Sequence, residues 1–240
     1  MGNAKTVIVT GASQGIGAAI AHAFLNRGYN VVASSRSMTK SGFAPSSNLA
    51  LVDGDIGDSS TAERVAQAAL SKFGSIDHLV NNAGIYAAKP FTEYTVDDLR
   101  GFVSTNLDGF VFMTQIVVKQ MLSQGVGGSV TTITAALADN PIVGAPSSVP
   151  MITKGGLNAI TINLAIEYAK QHIRFNAVAP GVVNSPLHDA NPKDFLKTLS
   201  PMGTIAETQD VADAVVYLAE ARYVTGEVLH VDGGAHVGRW

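Results

Sequence analysis

The 240-residue chain predicts an α/β fold: a doubly wound parallel sheet of about seven strands with helices on both faces. Three observations carry that expectation. Short β-branched runs alternate with longer segments of helical spacing, the pattern of successive βαβ units. A glycine-rich stretch, Gly11-Ala12-Ser13-Gln14-Gly15-Ile16-Gly17, follows the first such run and opens the first helical segment. Hydrophobic residues make up 46% of the chain and charged residues 15%, enough to bury both faces of one sheet, and no repeat, low-complexity tract or linker interrupts it. Residues 1–240 therefore read as one domain.

The elements follow in order. Val7-Ile8-Val9 is the first strand, a β-branched run too short for a helix. Residues 16–27 are a helix, 30–33 a second strand and 49–52 a third, with a polar loop at 37–47. A helix at 60–72 leads to a fourth strand at 78–80, and a long amphipathic stretch runs over 96–123. Residues 129–134 are strand-like because they are β-branched and rich in threonine. Leu157, Ile160, Leu164 and Tyr168 recur at helical spacing and place an apolar stripe on a helix at 151–170. Residues 174–178 and 227–231 supply the last two strands, and 184–194, with two prolines and two acids, is a loop.

Composition also excludes. A net charge of −3, from 16 basic and 19 acidic residues, offers no basic field for a nucleic acid. There is no cysteine, and His22, His78, His172, His230 and His236 show no metal-ligand spacing, so no metal site is expected. No run approaches the roughly 18 apolar residues of a membrane span, and residues 1–10 lack a secretory signal, so a cytoplasmic protein without a membrane partner is expected.

Glycines at 11, 15 and 17 permit a tight turn and let backbone amides approach a pyrophosphate, whose charge the helix N-terminus favours. The position between strand and helix gives the motif its meaning. Beyond it, Asp55 follows the third strand, Asn81-Asn82-Ala83-Gly84 ends the fourth, and Asn106, Lys154, Pro180-Gly181 and Val231-Asp232-Gly233-Gly234 follow in order. With Thr10-Gly11-x-x-x-Gly15-x-Gly17, this set resembles the short-chain dehydrogenase/reductase family over essentially the whole chain.

The resemblance implies a Rossmann-type fold and a nicotinamide dinucleotide. Gly11, Ser13, Gln14, Gly15, Ile16 and Gly17 would hold its phosphates and Asp55 and Ile56 its adenine, with Asn82, Ala83, Gly84, Lys154, Pro180, Gly181 and Val183 completing the set. After the second strand stand Ser35 and Arg36 rather than an acid. A guanidinium and a hydroxyl offer donors to a 2′-phosphate, which favours NADP(H); NAD(H) is the alternative if Arg36 is a solvated loop charge. A homo-oligomer, dimer or tetramer, paired through the helices at 96–123 and 151–170 is implied, and Trp240 is read as folding over a neighbouring subunit.

The family's chemistry uses a tyrosine four residues before the lysine to move a proton as hydride passes between nicotinamide and a carbonyl or alcohol carbon. Counting back from Lys154 gives Pro150, which has no side-chain proton, and the serine position holds Ala135. Asn106 and Lys154 fit the remaining members. The reading is a small-molecule carbonyl/alcohol oxidoreductase in which Thr134 donates to the oxyanion and Tyr86 or His188 moves the proton. Its alternatives are a dinucleotide-binding protein with little chemistry, and a reductase of an iminium carbon that needs no proton. Pro150 itself fits the first turn of a helix capped by Ser147 or Ser148.

Overall fold

In the computed structural model, residues 4–238 are described; Trp240 lies outside them. Seven parallel strands form one sheet in the order β3-β2-β1-β4-β5-β6-β9. They are β1 (Thr6–Thr10), β2 (Asn30–Ser35), β3 (Leu49–Asp53), β4 (His78–Asn81), β5 (Gly128–Ile133), β6 (Ile173–Pro180) and β9 (Val228–Val231). The period-two geometry of a strand sorts its side chains between two cores. In β1, Val7 and Val9 enter one core and Ile8 the other, all three fully buried, each contributing about 1.5–3 kcal/mol by burial.

Helices α1 (Gly15–Asn26) and α7 (Thr208–Glu220) cover the first core, packed on each other, while α2 (Ser59–Phe73) and α4 (Gly109–Gln124) cover the second. The expected helix at 96–123 is three segments: α3 (Val96–Phe102), a π-helical turn (Val103–Asp108) and α4. By length and composition Val96–Gln124 would suffice to cross a bilayer, but Met113, Val117, Val118 and Met121 are spent on the second core.

Helix α5 (Ser148–Glu167) carries Pro150 in its first turn, where a missing N–H costs nothing. The expected side-chain cap is not made. Ser147 is the N-cap residue, but its hydroxyl donates instead to the Ala145 carbonyl at 3.0 Å. Three elements escape the sequence reading: α7, the short helix α6 (Lys193–Lys197), and a two-stranded ladder of β7 (Val183–Asn184) and β8 (Ala206–Glu207).

Strand order reverses between β1 and β4, so their carboxyl ends diverge and leave a crevice, the place where open α/β sheets bind ligands. A cleft of about 540 Å³ opens there.

Candidate cofactor and active site

The floor of the cleft is the β1–α1 turn. The chain passes Gly11 at φ +65° and Gly15 at φ +56°, conformations that side chains with a Cβ resist. A Cβ on Gly17 would lie 2.3 Å from the Gly11 oxygen and 2.4 Å from Asn82 Nδ2, so helix α1 packs against the turn only because residue 17 has none. The end of β4 braces the turn. Asn82 Nδ2 donates to the Thr10 and Gly11 carbonyls at 2.9 and 3.1 Å, and the Asn82 and Ala83 amides donate to Thr10 Oγ1 at 3.1 and 3.0 Å. Helix α1 begins without a side-chain cap and with no acid in its first turn, so its leading amides face the cleft with no anion supplied by its own first turn. This backbone cradle, which a Cβ would fill, fits the diphosphate of a dinucleotide.

At the end of β2, Arg36 lines the cleft, exposed and with no ion pair among the described residues. Sheet register sets an acid nearby that the sequence reading misses: Asp53 of β3 pairs with Ser35. The Thr39 hydroxyl and amide donate to its two oxygens at 2.6 and 2.8 Å and hold its carboxyl below the usual range. Ser35 turns its hydroxyl to Met38 Sδ at 3.8 Å.

Of the predicted cofactor residues, Gly11, Gln14, Gly15, Ile16, Gly17, Arg36, Asn82, Ala83, Gly84, Lys154, Pro180, Gly181 and Val183 share the cleft wall; Ser13, Ser35, Asp55 and Ile56 stand outside it. Asp55 is exposed and accepts from the Gly57 amide at 3.0 Å, and the Ile56 side chain is buried against Gly109.

At the other end, Lys154 projects from α5 and donates to the Ile133 carbonyl at the end of β5 at 2.8 Å. Burial without a nearby carboxylate pushes its ammonium down to about 8. A Cβ on Gly84 would come within 3.3 Å of both Lys154 Nζ and Asn106 Oδ1, so glycine here lets the two approach. Asn106, in the π-helical turn, does not reach the cleft wall. Its carboxamide accepts from the Ile85 amide at 2.9 Å and donates to the Ile85 carbonyl and to Thr153 Oγ1 at 3.2 and 2.9 Å, fixing the chain that follows Gly84.

The Thr134 hydroxyl, buried, donates to the Val178 carbonyl at 3.3 Å, and Ala135 presents only a methyl group. Tyr86 and His188 both line the cleft. Because the one Ser147 hydroxyl proton goes to Ala145, Tyr86 is the donor in its 2.5 Å bond to Ser147 Oγ. His188 sits half-buried on a 3-10 turn, Pro186–His188. Asn140, in the loop after β5, is a wall residue that the sequence does not single out by itself; its carboxamide makes no hydrogen bond among the described residues. The rest of this end is apolar, with Ile85, Leu137, Ile142, Met151, Leu187 and Leu199.

A family profile described as enoyl-(acyl carrier protein) reductase matches residues 11–236. The chain is 33% identical to 3beta-hydroxysteroid dehydrogenase 1 of Eggerthella lenta over 249 residues, covering 96% of this chain and 93% of the relative. It is 35% identical to an L-rhamnose 1-dehydrogenase (NAD(P)(+)) of Sphingomonas sp. over 248 residues, covering 97% and 96%. The crystal structure of 3-ketoacyl-(acyl-carrier-protein) reductase from Brucella melitensis complexed with NADH superposes with a TM-score of 0.91 at 28% identity, over 98% of this chain and 99% of that one.

Proposed function

As a member of the short-chain dehydrogenase/reductase family, to which the match over residues 11–236 assigns it, this chain is, we propose, an NADP(H)-dependent oxidoreductase that interconverts a small carbonyl compound and its alcohol. The observation that carries the proposal is the braced glycine turn, where a Cβ on Gly17 would lie 2.3 Å from the Gly11 oxygen, aligned with Lys154 farther along the same wall. Bound dinucleotide supplies hydride at its nicotinamide ring. The chain's own residues do the rest.

The turn amides take the diphosphate, and Arg36 takes the 2′-phosphate. Asp53, an acid beside this position, has both oxygens engaged by Thr39, which holds it ionised. Lys154 orients the nicotinamide ribose. Asn140 is the polar side chain best disposed to hold a substrate oxygen, since Thr134 has given its proton to Val178. The apolar walls select an uncharged substrate body. Position 150 supplies no proton, so the proton moves through another group of this wall.

We place the protein in the cytoplasm as a homo-oligomer, with Ile152, Ile162 and Ile166, exposed along α5, forming part of the shared face. Fluorescence titration with NADPH and NADH, followed by turnover with uncharged ketones, tests the reading. Tighter binding of NADPH and ketone reduction support it. Binding without turnover of any ketone or imine leaves a dinucleotide-binding protein, the reading that Pro150 favours, and NADH preference reverses the role of Arg36.

A further inference from the structure

We infer that Lys154 is itself the proton donor of ketone reduction in this chain, its ammonium taking over the task of the phenol that position 150 lacks. The inference rests on the oxidoreductase reading above. Arg36 at the end of β2 and Ser185 beside Gly15 lie at the glycine-turn end of the cleft; toward Lys154, four groups carry a transferable proton. Tyr86 has committed its hydroxyl to Ser147, whose own proton is committed to Ala145, so this chain of donors runs out of the cleft into backbone. Thr134 has likewise given its proton to Val178. His188 sits on a 3-10 turn, with no side-chain bond to the β5 or α5 wall among the described residues. Lys154 remains, and its placement is rigid.

It stands one helical turn beyond Pro150 on α5, and among the described residues its Nζ makes one hydrogen bond, to the Ile133 carbonyl at 2.8 Å. No carboxylate lies within ion-pair distance of it among the described residues. An ammonium has three protons, so two of them remain available to a ribose hydroxyl and a substrate oxygen. Gly84, where a Cβ would sit 3.3 Å from Nζ, leaves that side of the group open. Burial without a counter-ion also brings its titration to about 8, close to the pH of the cell, where a general acid works best.

The step balances. As the carbonyl carbon gains hydride with its electron pair, the C=O π pair moves to oxygen, and oxygen takes one N–H proton while the N–H pair stays on nitrogen. Alcohol, oxidised cofactor and neutral amine result, and water returns the proton to Nζ. In the reverse direction the neutral amine accepts the alcohol proton.

The test has two readouts. The first needs no cofactor: with 13Cε-labelled lysine, the resonance absent from Lys154→Arg titrates near 8, while a value near 10.5 overturns the inference. The second is NADPH oxidation with cyclohexanone from pH 6 to 10. Wild-type kcat falls as pH rises past about 8; Lys154→Arg, which keeps the charge but holds its proton, loses about 100-fold in kcat and shows no such break. A break that persists in Lys154→Arg, or a kcat within twofold of wild type, overturns the inference and leaves the oxidoreductase reading standing. A wild-type protein that binds NADPH and reduces no ketone overturns both.

Discussion

The two ends of the cleft are built from different materials. At the phosphate end the groups are backbone amides, held by Asn82 and Thr10 and by the absence of a Cβ at Gly11 and Gly17. At the other end, the proton end of our proposal, they are side chains on Lys154, Tyr86, His188 and Asn140. A backbone cradle admits almost no substitution because the fold and the site are the same atoms. Side chains on the wall are exchanged at smaller cost to the fold, which is how Ala135 takes its place after β5, while Pro150, buried and outside the wall, sits in an intact helix.

The largest expected effect breaks the phosphate end. Gly17→Ala places a methyl 2.3 Å from the Gly11 oxygen and 2.4 Å from Asn82 Nδ2, and NADPH affinity measured by fluorescence falls more than about 100-fold. Affinity within threefold of wild type would show that the turn yields, and that the two ends do not differ in kind. Next, Pro150→Tyr puts a phenol one turn before Lys154 and raises ketone-reduction kcat about tenfold or more, with thermal unfolding within a few degrees of wild type. A collapse in stability would mean that the proton end is as fold-bound as the cradle.

Arg36→Ala sharpens the comparison within the cofactor. NADPH affinity falls about tenfold, equal to about 1.4 kcal/mol, while NADH affinity moves less than twofold. Equal loss of both cofactors would move Arg36 out of the 2′-phosphate role. Smallest is Asn140→Ala, which raises ketone KM or lowers kcat about threefold without touching NADPH binding. An unchanged substrate profile removes Asn140 from the site.

The same contrast explains what the sequence made legible. Glycines at 11, 15 and 17 are demanded by backbone geometry, so they stand in the sequence where the turn needs them. The seven strands are visible because β-branched runs buried on both faces leave no other periodicity. Helix α7 escaped because Val211, Val215 and Val216 are strand formers by propensity, made helical by packing on α1. The β7–β8 ladder is too short for any period to show. Asn140 and Asp53 reach their places through loop path and sheet register, which local sequence does not encode. The Ser147 cap failed for a related reason: its hydroxyl is claimed by residues 86 and 145, and only the folded chain brings the first of these near.

The brace that Asn82 and Thr10 place on the glycine turn bears on traffic through the cleft. A receptor already in its final shape spends no free energy on freezing itself when the dinucleotide arrives. By the same token it contributes no spring to push the used cofactor out. The opposite wall is built otherwise: Ser185 and Pro186 lie over Gly15, and a 3-10 turn rather than the main sheet holds the chain there.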